Sequence, residues 1–102
     1  MTNSQFPEFK NYDDSFDIPT DWVDISWHNN SCPSIGKAIN PVTNVVIWCD
    51  YKTFSKRESG CMHQFLVSID DDQGMDVKGY FDDIESAILF GDALHAKEIT
   101  NA

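Results

Sequence analysis

YFDDIESAILFGDALHAKEI, residues 80–99, is the stretch where a start signal, a helical period and sufficient length coincide. Asp82 stands where its carboxylate accepts the backbone N–H of Glu85, and Glu85 stands where it reaches back to Asp82. This reciprocal pattern predicts a helix beginning at Asp82. Asp83 and Glu85 add negative charge at the positive end of the helix dipole. At 3.6 residues per turn, Ile84, Ala87, Ile88, Gly91, Leu94 and Ile99 share one broad face, with Phe90 on its edge. Gly91 costs about 1 kcal/mol against Ala in helix propensity, which points to close approach between helix and sheet, with a local kink as the alternative. Leu89, Ala93 and Ala96 form a narrower stripe on the opposite side, either plain exposed surface or a partner contact.

Upstream of the helix the period changes from 3.6 to 2. Trp22 to Trp27 alternates, with Val23, Ile25 and Trp27 on one side and Trp22, Asp24 and Ser26 on the other, and predicts a first strand. The turn residues of His28 to Pro33 take the chain out of the sheet. Ile35 to Ile39 reads as a short edge strand weakened by Gly36. Thr43 to Tyr51 is apolar on both faces, as a central strand is. Lys52 to Gly60 is a basic connection, Met62 to Ile69 a further strand, and Asp70 to Gly74 an acidic turn into Val77 to Phe81. The expected fold is α+β, an antiparallel sheet of about four strands with one C-terminal helix packed on one face.

Residues 1–19 lack a sustained period and read as an irregular acidic and aromatic N-terminal arm, before a single α+β domain over residues 20–102. Phe6, Phe9, Tyr12 and Phe16 are too many aromatics for a solvated tail, so the arm packs across the domain or against a partner.

The chain of 102 residues suffices for one core. It carries 17 acids against 7 Lys and Arg, a formal net charge of −10. The charge is −5 over residues 1–36, +2 over 37–69 and −7 over 70–102. Such a balance argues against direct nucleic-acid binding. There is no apolar run of about 18 residues, as a membrane span requires, and no signal-peptide pattern, so a soluble cytoplasmic protein is expected. Three cysteines, Cys32, Cys49 and Cys61, cannot all pair within one chain, and reduced thiols are expected.

His28 and Cys32 (H-x3-C) together with Cys61 and His63 (C-x-H) would make a zinc tetrad if the two loops met. Asp70, Asp72, Gly74 and Asp76 offer clustered oxygens, but an EF-hand needs Gly at the sixth position and Glu at the twelfth. Here the fifth position is Gly74 and the twelfth is Phe81. Neither pattern predicts a metal, and no cofactor is expected. No phosphate-binding loop, activated Cys–His pair or distinctive carboxylate pair marks a reaction, so the chain is not expected to be an enzyme.

What remains is binding. Carboxylates spaced along a surface can replace phosphates against Lys and Arg. Asp70, Asp71, Asp72, Asp76, Asp82, Asp83 and Glu85 are the candidate partner-binding acids, and Leu89 is the candidate apolar contact. In size, acidity and α+β pattern the chain resembles phage-encoded anti-CRISPR and other anti-defence proteins, some of which mimic DNA; the resemblance rests on type and not on a shared motif. It implies a non-enzymatic inhibitor, acting in the host cytoplasm, that covers the basic nucleic-acid-binding surface of a partner such as a CRISPR effector. The alternatives are an adaptor or homodimer using the helix stripe and the aromatic arm, and a small zinc-binding module.

Overall fold

The strands form where apolar and small residues alternate. In the computed structural model, which describes residues 5–57 and 62–100, β1 (Val23–Asp24), β2 (Ser34–Asn40), β3 (Thr43–Cys49), β4 (Phe65–Asp71) and β5 (Gly74–Phe81) precede α1 (Ile84–Thr100). The strands build one antiparallel sheet in the order β1-β2-β3-β4-β5. The fold is therefore α+β, with the one α-helix of the described residues laid on one sheet face. β3 occupies the centre, as its two apolar faces imply.

The helix begins one residue later than its sequence suggests. Asp83, not Asp82, is the cap: its carboxylate accepts the Ser86 N–H at 2.8 Å and the Ser86 hydroxyl at 2.9 Å. Its carbonyl accepts the Ala87 N–H at 3.3 Å. Asp82 turns away to His63, whose Nδ1 lies 2.8 Å from its carboxylate. Two adjacent aspartates can both cap, and a partner across the sheet decides between them. On the core face Ile84, Ala87 and Gly91 are buried, and Ile88, Phe90 and Leu94 pack beside them. Ile99 is half exposed, since it sits in the last turn of the helix.

The first strand is shorter than predicted, because only Val23 and Asp24 pair with β2. Ser26 then takes over, its hydroxyl accepting the Ser34 N–H at 3.0 Å. The side that enters the core is the one carrying Trp22, which is 3% exposed, while Val23, Ile25 and Trp27 stay at the surface. Trp22 has the larger apolar area to bury, and its N–H finds a carboxylate on α1. β2 runs to Asn40 and lies inside the sheet between β1 and β3, so it is no edge. β3 stops at Cys49, β4 runs from Phe65 instead of Met62, and β5 starts at Gly74 instead of Val77. The β4–β5 turn thus shrinks to Asp72 and Gln73. Asp71 accepts the Gln73 N–H at 2.8 Å, and Gly74 takes the positive φ of 136° that a side chain would strain.

The core lies between the sheet and a second layer made of α1 and the N-terminal arm. Phe6, Phe9 and Tyr12 are buried in the same cluster as Ile47, Phe65 and Val67. Phe16 stacks edge-on against Phe65 at 5.8 Å, and Tyr12 meets Tyr51 at 5.6 Å. Gln5 closes the arm on itself through its two side-chain bonds to the Phe16 backbone. Asp13 ties it to the β3–β4 connection by accepting the N–H groups of Lys52 at 2.7 Å and Thr53 at 2.9 Å.

Candidate partner-binding surface

Strand register sorts the sheet into two faces. The rows led by Ile35–Ile47–Val67 and Cys49–Phe65–Phe81 face α1 and the arm. The alternate rows face away from them: Ser34–Trp48–Leu66–Tyr80, then Val23–Gly36–Val46–Ser68–Val77, then Ala38–Asn44–Asp70–Met75. No element of the described chain is laid over this second face. Its middle is sealed by its own side chains: Ile25 lies over Gly36, where an added Cβ would meet Ile25 Cδ1 at 2.7 Å, and Val46 and Ser68 are buried. Towards β5 it opens, leaving Met75, Val77 and Tyr80 exposed at 53%, 38% and 52% beside half-buried Trp48 and Leu66.

One polar chain crosses this face. The Trp48 indole N–H donates to Ser68 Oγ at 3.0 Å, and the Ser68 hydroxyl donates to Asp70 at 2.5 Å. Asp70 is the single charged residue in the three outward rows, which contain no base. Burial raises the pKa of its carboxyl above the ordinary Asp value; the Ser68 bond pulls it down, and the nearby Asp71 charge raises it. The network also fixes the Trp48 ring in one orientation.

The candidate acids fall into two groups at the two ends of β5. Asp70, Asp71, Asp72 and Asp76 lie at the hairpin end, and Asp82, Asp83 and Glu85 lie at the helix-start end. Eight strand residues at about 3.3 Å each separate them by roughly 25 Å. Several of these carboxylates also hold the fold together. Asp76 pairs with Lys78 at 2.8 Å, Asp82 with His63 and Asp83 with Ser86, and Asp71 holds the hairpin turn. Asp76 and Lys78 lie on the α1 side of β5, so the hairpin acids do not all point one way. Leu89 is 75% exposed, in line with its place on the outer helix stripe.

Lys37 and Arg57, like Lys78, are held by partners within the fold. Lys37 reaches Asp21 at 2.7 Å and Asp92 at 3.1 Å. Arg57 donates to the carbonyls of Tyr51, Lys52 and Met62.

Of the zinc tetrad, Cys61 lies outside the described residues. His28 lies 3.7 Å from Glu8, Cys32 is buried, and His63 is bonded to Asp82. Among the described residues no three His, Cys, Asp or Glu side chains come together as a metal-holding group. Burial pushes the Cys49 thiol well above its ordinary pKa, away from the thiolate form that a nucleophile or a metal ligand requires.

Comparison with protein-family models, with curated proteins and with solved structures finds no match to this chain. No helix among the described residues is long and apolar enough to cross a membrane.

The outward sheet face is what reading the sequence missed. Its signal was present as the alternation Met75, Val77 and Tyr80 opposite Leu66 and Trp48. The bulge that leaves Lys78 unpaired between Val77 and Gly79 breaks that alternation and hides it.

Proposed function

We propose that this chain is a non-enzymatic inhibitor that binds the basic, nucleic-acid-binding surface of another protein, as anti-CRISPR and DNA-mimic proteins do. The observation that carries this reading is the placement of acid at both ends of the β5 strand, about 25 Å apart. That span covers several phosphate spacings of a nucleic-acid strand. Carboxylates held at such intervals meet Lys and Arg through charge-assisted hydrogen bonds and speed association by long-range attraction. Internal bonds at Asp71, Asp82 and Asp83 support the idea, since they fix the carboxylates in position while leaving them exposed. Under this reading the partner is nucleic-acid-binding machinery such as a CRISPR effector, and the site of action is the host cytoplasm.

The adaptor reading keeps one support, the exposed Leu89, but loses the aromatic arm, whose Phe6 and Tyr12 fill this chain's own core.

Affinity capture from host lysate tests the proposal, with nucleic acid added as competitor. The retained protein should bind nucleic acid, release this chain when nucleic acid is added, and release it as salt rises. Retention of a protein indifferent to both nucleic acid and salt would contradict it.

A further inference from the structure

We infer that the outward face of the β4–β5 hairpin, centred on Trp48, Leu66, Val77 and Tyr80, is a docking surface for a protein patch that is apolar at its centre and carries Lys or Arg at both ends. The inference rests on the proposed binding to a basic partner and adds the surface through which specificity would enter.

Three observations select this occupant. The outward rows have exposed apolar groups at Met75, Val77 and Tyr80 and not one base. Acid brackets them: Asp70 at the hairpin end beside the turn residue Asp72, and Asp82 at the other, where its His63 partner lies 5.8 Å ring to ring from Tyr80. An apolar strip framed by acid is complementary to an apolar strip framed by base. A second copy of this chain is the wrong occupant, because a chain of net charge −10 would set the same acids against one another within screening distance.

The outer edge of β5 is a poorer docking element than the face. Lys78, which has no partner in the β4 register, bulges the strand, and its ion pair with Asp76 puts charge along it, both of which oppose addition of another strand. On the face, the Trp48 ring is already held by Ser68, so little side-chain freedom is lost when a partner covers it. Carboxylates at the ends would then set orientation and encounter rate, with the apolar centre limiting dissociation.

The test uses the full chain and two synthetic probes, a peptide with leucine and tryptophan at its centre and lysine clusters at both ends, and an oligolysine of equal length. Amide and indole N–H resonances are followed through each titration. The apolar-centred peptide should bind at least about tenfold more tightly than oligolysine and shift the Trp48 indole, Leu66, Val77 and Tyr80. Val77→Ser combined with Tyr80→Ser should reduce it to the oligolysine level. Resonance mapping on the unsubstituted chain keeps the test decisive if that variant folds poorly. Equal affinities with shifts confined to residues 70–72 and 82–85 would overturn the docking face and leave the acidic-inhibitor reading standing. Binding of neither peptide would overturn both. Shifts at Leu89, Ala93 and Ala96, or concentration-dependent shifts of the face in the chain alone, would assign the contact to the helix stripe or to a second copy and overturn this inference.

Discussion

The indole N–H of Trp22 donates to Asp92 at 2.9 Å, and this bond holds the ring against Gly91, the preceding residue of α1. A Cβ at Gly91 would meet Trp22 Cη2 at 2.9 Å and Cζ2 at 3.0 Å. The ring is rigid and tethered, so it cannot yield by a rotamer change. Gly91→Ala should therefore cost about 1 to 3 kcal/mol in overpacking against about 1 kcal/mol gained in helix propensity, a net destabilisation of up to about 2 kcal/mol. A thermal melt reads the net sign, and a rise in Tm would show that the helix can move away from the sheet.

The two aspartates before α1 should separate cleanly on substitution. Asp83→Ala removes the cap and should cost about 0.5 to 2 kcal/mol. Asp82→Ala removes only an exposed pair with His63 and should cost less than about 1 kcal/mol. Chemical denaturation of both variants checks the order.

The arm is structural. Phe6 is 0% exposed and packs edge-on against Tyr12 at 5.3 Å. Phe6→Ala should cost about 3 to 5 kcal/mol, a large share of the stability of so short a chain. If a denaturant titration shows no change, the aromatic arm does not belong to the core.

Much of this architecture was legible from residue order. The helix, its core face around Ile84, Ala87 and Ile88, and the antiparallel sheet follow from periods of 3.6 and 2. Gly91 marked a close approach whose partner, Trp22, lies 69 residues away and could not be named from sequence. The cap slipped by one residue because Asp82 and Asp83 are locally equivalent and His63 is not local. Val23, Ile25 and Trp27 alternate well and so predict a longer first strand, while only Val23 and Asp24 find a partner strand. For the candidate surface, sequence supplied the acids but not their separation into two ends or the apolar strip between them. Which strand neighbours which is a tertiary fact that alternation leaves open.

Asp70 gives the face a pH signature. Burial holds its carboxyl above the ordinary Asp range in the folded chain, against the opposing Ser68 bond. A carboxyl that binds its proton more tightly when folded favours folding in acid, and that contribution is lost as pH rises from the unfolded pKa through the folded one. Asp70→Asn keeps an acceptor for the Ser68 hydroxyl and removes the charge. Its Tm relative to the parent should rise on going from acid to neutral pH, modestly because the group is partly solvated. A relative fall in Tm over that interval would mean the charged form is the one the fold stabilises.

Salt dependence of binding tests the acidic-inhibitor account most directly. The nucleic-acid-binding protein captured from lysate is titrated with the parent chain and with the Asp70→Asn, Asp71→Asn, Asp72→Asn triple variant, at about 50 mM and about 200 mM salt. The account predicts that the triple variant binds at least about tenfold more weakly at the lower salt, and that its affinity changes less between the two. Unchanged affinity and salt slope in the triple variant, with binding abolished by Leu89→Asp, would contradict the account and place the contact on the helix.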